Sequence, residues 1–320
     1  MVRLTRVTAI LAAVIILSAI GAFAYQGISS EPQETIRVSG AWALYPMMVK
    51  WAEEYQKIHP NIRIEVSAGG AGKGMADALA GLVDIGMVSR DIYQDELERG
   101  AFYVAVTKDA VVATVNKDNP VLNDLLAKGF TRQMFYNIFI AGNVTTWGDA
   151  VGRTDVTDEI HIYTRSDACG AAETWAKYLG KKQEDLQGTG VYGDPGVLEA
   201  VGKDRLGIGY NNIGYAYDMK TRQQIEGIGI IPIDVGENGR IDPDEDFYST
   251  KDRILTAIAQ GVYPSPPARN LHLVTKDTFT GITKEFVKWI LTEGQKFVEE
   301  GGYVPLPSYL IDDQLKKLEE

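Results

Sequence analysis

The sequence predicts an α/β protein of two lobes, each a mainly parallel sheet flanked by helices. Residues 36–88 alternate strand and helix signals as β-α-β-α-β, and such a run needs crossover helices between parallel strands. The pattern starts afresh after Asn119-Pro120. The chain is 320 residues long, which suits two units at roughly 100–200 residues each.

The elements follow in order. Ile36–Ser39 is a short apolar strand. Pro46 stands at a first helical position, where its missing N–H costs nothing. Met48, Trp51, Ala52 and Tyr55 then repeat at helical spacing. Ile62, Ile64 and Val66 alternate as a strand does. The loop 69–74 precedes a helix carrying Met75, Ala78, Leu79 and Leu82, and 83–88 is a buried strand. Apolar runs at 102–106 and 110–115 follow, then helical stretches over 121–140. Beyond them come a strand at 159–164, helices at 171–179 and 195–202, and strands at 206–210, 227–233 and 271–275. A last helix carries Phe286, Val287, Trp289, Ile290 and Phe297.

The first 25 residues stand apart. Arg3 and Arg6 precede an uncharged apolar stretch, Val7 to Tyr25, and Ala22-Phe23-Ala24 fits a small-x-small cleavage site. This is the build of a secretory signal, and its length also suits an uncleaved membrane anchor. Either reading puts the rest of the chain outside the cytoplasm, with 26–35 as a polar tether. The membrane would be met only through this segment.

Composition narrows the function. Asp plus Glu number 43 against 32 Lys plus Arg, a formal net charge of −11. That argues against a nucleic-acid partner, which needs clustered basic residues. One Cys excludes a disulfide framework and a thiolate zinc cluster. No His/Asp/Glu cluster has metal-ligand spacing, and the Lys73 loop lacks the Gly-Lys-Ser/Thr ending of a nucleotide loop. No cofactor is expected.

Three loops put small residues between a strand end and a helix start: 40–46, 69–74 and 167–172. Helix starts leave N–H groups unpaired and carry partial positive charge, so they attract anions. Arg90, Arg165 and Lys73 add fixed cations beside them. Convergence of the three loops would make an anion cleft between lobes, yet glycine-rich loops also serve as plain turns. Arg165 can simply pair with Asp167, and Arg90 with Asp91. A nucleophile built on Cys169 with His59, His161 or His272 is the competing chemistry. No orienting group is evident for it, and a buried structural Cys is the simpler reading. Trp42 and Tyr45 are stacking candidates or ordinary packing.

Residues 36–310 as a whole resemble the phosphate-binding proteins (PstS type) of phosphate ABC transporters. The matching stretches run in family order: Leu44-Tyr45-Pro46 with Lys50-Trp51-Ala52; 70–74; 81–86 with Ser89-Arg90; 109–115 with Asn119-Pro120; Ile138-Phe139 with Gly142 and Trp147; 208–210 with Tyr215-Ala216; Tyr263-Pro264 with Arg269-Asn270-Leu271; and 302–305. The resemblance implies a type II periplasmic-binding-protein fold. Lobe I would be 36–116 plus 216–320 and lobe II 117–215, closing on phosphate or a related oxyanion. It implies no enzyme, an ABC permease as partner and a monomer.

Carried over position by position, the ligand contacts are Ala43, Leu44, Tyr45, Ala71, Gly72, Lys73, Ser89, Arg90, Arg165, Asp167, Cys169, Gly170 and Ala171. Asp167 resembles the residue that fixes the Arg. The departures are chemical. Leu44, Ala71, Cys169 and Ala171 stand where the family places hydroxyls. A hydrogen bond to a charged group is worth roughly 1.5–3 kcal/mol, so four missing together bear on the ligand. Three readings follow: phosphate held by backbone and Arg, a different or larger anion, or a sensor or adaptor that has lost binding.

Overall fold

The structure is a computed structural model and describes residues 34–320. The signal or anchor segment and most of the tether lie outside the described residues. The tether ends sooner than expected, because Glu34 and Thr35 already belong to the first strand, β1 (Glu34–Gly40). The other strands are β2 (Ile62–Ala68), β3 (Ile85–Val88), β4 (Ala101–Asn116), β5 (His161–Arg165), β6 (Thr189–Val191), β7 (Gly207–Asn212), β8 (Ile228–Ile231) and β9 (Ala268–Lys276).

Their spatial order is β2-β1-β3-β9-β4-β7-β5-β6, with β8 also on β4. β1 pairs in parallel with β2 and β3, and β5 with β6 and β7. The parallel character holds away from the centre only. β9 runs against β3 and β4, and β4 runs against β7 and β8.

The two apolar runs at 102–106 and 110–115 are one 16-residue strand. Its first half pairs with β9 and its second half with β7 and β8, so β4 passes from one lobe into the other. The register with β9 shifts between Ala105 and Thr107, and the runs are separated in sequence by Thr107-Lys108-Asp109. Leu82 was expected on the helix face, but the helix Ala71–Leu79 ends before it and Leu82 is exposed. The helix Gly281–Leu291 likewise ends before Phe297, which falls in the next turn.

Two main cores divide the chain, and Val197, Val201 and Ile228 form a small third cluster. The first holds Ile36, Met48, Trp51, Met75 and Ile85 together with Leu273, Phe286 and Ile290. The second holds Val112, Phe135, Trp147, Trp175 and Tyr210, and also Tyr248, Ile254, Tyr263 and Ala268. The stretch 216–268, expected in lobe I, therefore contributes most of its buried apolar residues to the second core. Its buried helix Lys251–Ala259 carried no strong sequence signal. We propose the lobe boundary near the β4/β9 crossing, with the chain returning to lobe I at about 269.

Candidate functional site

Each predicted loop sits where the α/β pattern puts a ligand, at the carboxyl end of a strand. Gly40 ends β1 ahead of the helix Tyr45–Ile58. Ala68 ends β2 ahead of the helix Ala71–Leu79. Arg165 ends β5 ahead of the helix Gly170–Tyr178. The loops from the two lobes meet. The Gly72 N–H donates to the Ala168 carbonyl at 3.1 Å, and Gly170 lies so close to Ser89 that a Cβ there would strike its Oγ and carbonyl. Gly70 has a φ of 93° and packs on the Ala168 carbonyl, so glycine is required there on both counts.

Beside these contacts lies a cavity of about 480 Å³ lined by Gly72, Arg90, Arg165, Ala168 and Cys169, with Tyr93, Thr164, Glu173, Gln183, Glu184 and Leu186. Four predicted residues thus share one interlobe wall. Others do not reach it. Leu44 is buried in the first core, and the Leu44 and Tyr45 N–H groups are taken by the carbonyls of Ala41 and Trp42. Lys73 pairs with Asp77 four residues along its own helix, and Asp77 also accepts from Ser39 Oγ at 2.6 Å. Trp42 packs edge-on against Tyr192 and Tyr215, the packing reading of that aromatic.

Not every helix-start N–H is free. Ala172 donates to Cys169 Sγ at 3.4 Å, and the Cys169 N–H to Gln183 Oε1 at 3.2 Å. Gly170 and Ala171 have no acceptor for their N–H groups among the described residues. These two donors begin the helix, where its dipole favours negative charge.

The arginines are already engaged. Arg165 donates through Nε and Nη2 to Asp167 at 2.8 and 2.6 Å, and through Nη1 to Asp194 at 2.6 Å. Its side chain has no solvent exposure. Burial opposes its charge, but the carboxylates of Asp194 and Asp167 outweigh that and hold it protonated. Arg90 pairs with Glu96 rather than Asp91 through two bonds of 2.9 and 2.6 Å, and lies over the Tyr93 ring. Burial drives the Cys169 thiol up to about 12, which leaves no thiolate for nucleophilic work. His161 is bound to Asp204, and burial pushes His272 down to about 4.

The sequence reading missed the groups beneath the cleft. Asp194 is fully buried and also accepts from the Asn212 N–H at 2.9 Å and Asn212 Nδ2 at 2.7 Å. Asn212 Oδ1 in turn accepts from Arg269, whose Nε donates to the Ser89 carbonyl at 2.7 Å. A continuous hydrogen-bonded girdle thus joins β3, β9, β7 and β5. Arg269 lay in a family-matching stretch. Asp194 had only the look of a helix-start acid.

Residues 27–293 match the family model described as a PBP superfamily domain. The chain belongs to the PBP superfamily. It is similar to the phosphate-binding protein PstS of Xylella fastidiosa, with 29% identity over 88% of this chain and 85% of that protein. The PstS of Methanocaldococcus jannaschii is 26% identical over 88% and 85%. An ABC-type phosphate transport receptor from Vibrio cholerae shares the fold with a TM-score of 0.61 and 23% identity, covering 85% of this chain and all of that one. The PstS resemblance and the type II PBP fold read from the sequence are borne out. Among the described residues no helix is long and apolar enough to cross a membrane, and no cluster of three or more His, Cys, Asp or Glu is arranged to hold a metal.

Proposed function

We propose that this PBP-superfamily chain is the solute-binding component of an ABC importer, working outside the cytoplasm. It takes phosphate or a related oxyanion between its lobes and hands it to a permease. The observation that carries the reading is the pair of unengaged N–H groups of Gly170 and Ala171. They open a helix that meets Ser89 and the Gly72 helix across the cleft. The names of the PstS relatives point the same way.

In this reading the anion is bound by dipoles more than by net charge. Arg165 contributes at most its two remaining N–H groups, since three are spent on carboxylates. Calorimetry and thermal shift against phosphate, sulfate, molybdate, tungstate and phosphonates test the proposal. Binding of at least one oxyanion is expected, and silence across the whole panel sinks it. Arg165→Ala is a poor probe, because it strands Asp167 and Asp194 without their counterion and would act through folding.

A second reading, a ligand-free sensor or adaptor, draws on the loss of four hydroxyls and on the tight Gly170–Ser89 contact. It predicts the silent panel. Hydrolysis through Cys169 is disfavoured by the buried, protonated thiol.

A further inference from the structure

The loop after β8 carries a ligand spacing that the proposed function does not use. Counted from Asp234, the segment 234–245 has Asp at position 1, Asn at 5, Gly at 6, Asp at 9 and Glu at 12. Calcium loops of 12 residues take oxygen ligands from positions 1, 3, 5, 7, 9 and 12. The seventh gives its main-chain carbonyl, and a glycine at the sixth makes the sharp turn. Gly236 stands at position 3, so one usual side-chain ligand is absent.

The backbone is wound to suit such an ion. Gly239 has a φ of 80°, which side chains beyond glycine rarely tolerate. The Asn238 and Gly239 N–H groups donate to the two oxygens of Asp234 at 3.2 and 2.8 Å. The Gly236 and Asp242 N–H groups donate to the two oxygens of Glu245 at 2.8 and 3.1 Å, so position 12 folds back over position 3. A Cβ built on Gly236 would lie 3.5 Å from both Asn238 Nδ2 and Glu245 Oε1. Positions 3, 5 and 12 therefore converge.

Charge points to a cation. Asp234 and Glu245 are 2% and 8% exposed, and neither has an ion-pair partner among the described residues. The arginines nearby go elsewhere, Arg240 to Asp242 and Arg253 to Asp246. Buried carboxylates are matched by a cation or bind a metal. The Arg240 carbonyl accepts no hydrogen bond among the described residues. No three His, Cys, Asp or Glu side chains are gathered there to hold a metal. The donors are instead two buried carboxylates, an amide and a main-chain carbonyl, a set that suits a hard cation of adaptable coordination.

We propose that the loop 234–245 binds a calcium ion through Asp234, Asn238, the Arg240 carbonyl and Glu245, with water in place of the missing third ligand. The Asn238 amide turns over to present its oxygen, since Nδ2 otherwise donates to Asp242 at 2.7 Å. None of these residues lines the interlobe cavities, so the ion site is independent of the oxyanion. The ion pins this stretch to the second lobe, where the Asp234 N–H donates to the Phe130 carbonyl and the Ile241 N–H to the Ala127 carbonyl.

Calorimetry and thermal denaturation of chelator-treated protein with CaCl₂ and MgCl₂ test this. Wild type should bind one Ca²⁺ with a Kd on the order of 10⁻⁴–10⁻³ M, the range of extracellular calcium modules, and Mg²⁺ about tenfold more weakly or worse. Glu245→Gln removes the position-12 carboxylate and should lose about tenfold or more in Ca²⁺ affinity. Gly236→Asp supplies the missing ligand and should tighten Ca²⁺ several-fold. Circular dichroism checks both folds, and the wild-type and Gly236→Asp titrations decide if Glu245→Gln does not fold. Silence of the wild type toward Ca²⁺ overturns the inference. So do equal affinity for Mg²⁺, a folded Gly236→Asp that binds no tighter, and a folded Glu245→Gln that binds as well as wild type. The oxyanion titrations stand or fall separately.

Discussion

Neutralising Asp194 should tighten binding of a simple anion while weakening the fold. The carboxylate is fully buried and accepts from Arg165 Nη1 and Asn212 Nδ2 through Oδ2, and from the Asn212 N–H through Oδ1. In Asp194→Asn the oxygen can keep the Asn212 N–H, but an amide NH₂ then faces two donors. Breaking one side of a buried ion pair costs about 3–5 kcal/mol, a large share of the roughly 5–15 kcal/mol that keeps a domain folded. The substitution removes one negative charge beside Arg165 and leaves Arg165 Nη1 without its carboxylate partner. One unit charge acting over roughly 12 Å at an effective dielectric near 20 is worth about 1.4 kcal/mol, or about tenfold in Kd. The assay is calorimetry with orthophosphate well below the variant's melting temperature, paired with urea unfolding. A natively folded Asp194→Asn that binds orthophosphate no better than wild type would refute the placing of the anion beside Arg165.

Other outcomes follow from the same charges and contacts. Burial lowers Lys251 from 10.5 to about 8, with Arg222 adding to it, so its ammonium costs about 3 kcal/mol below pH 8 at about 1.4 kcal/mol per pH unit; that cost disappears as pH rises from 8 toward 10.5. Lys251→Met should therefore raise stability at pH 7 by up to about 3 kcal/mol, with the gain fading by pH 10.5 in urea titrations. Asp109, raised to about 6 by burial, binds a proton in the folded state that the unfolded chain has lost, so stability falls as pH rises from about 4 to 6. His272, lowered to about 4 by burial, has the opposite effect from about 4 to 6.5. The two nearly cancel, and His272→Phe should expose a decline of about 1.4 kcal/mol per pH unit in denaturation midpoints across that window. Cys169→Ser should tighten orthophosphate several-fold by calorimetry, since it restores a hydroxyl at the cleft wall. Gly170→Ala should hold the lobes apart, because the atoms in its way include the Ser89 carbonyl; a larger radius of gyration in X-ray scattering checks it.

The fold was legible where local patterns decide it. The helix after Pro46 carries its buried Met48, Trp51, Ala52 and Tyr55 as the 3.6-residue spacing demands. β4 was not legible as one strand, because Thr107, Lys108 and Asp109 interrupt its apolar run even though Thr107 and Asp109 are buried. The short strand Thr189–Val191 has no buried residue to mark it. At the cleft, the strand-end pattern already marked Arg165 and the loop 167–172, and the structure sets Arg165 and Cys169 on one wall with Gly72 and Arg90. Asp194 and Asn212 were missed because their role is set by tertiary contacts some 30 to 50 residues from Arg165, which no local spacing encodes. Lys73 was misleading for the reverse reason. A strong local partner, Asp77, lies one turn away on its own helix.

A chain of net charge −11 is a poor long-range attractor of anions, and the cleft's guanidinium groups are fixed by nearby carboxylates, Arg90 by Glu96 and Arg165 by Asp167 and Asp194. Arg165 is therefore a structural cation first, held rigid beside a helix start whose free N–H groups would carry the attraction in the proposed function. Dipoles of that kind act over a few ångströms and need close contact, so affinity should depend on fit and little on ionic strength. Rim cations would give the opposite salt dependence. With Ala71, Cys169 and Ala171 in place of hydroxyl residues, discrimination in the proposed site would fall to backbone N–H groups.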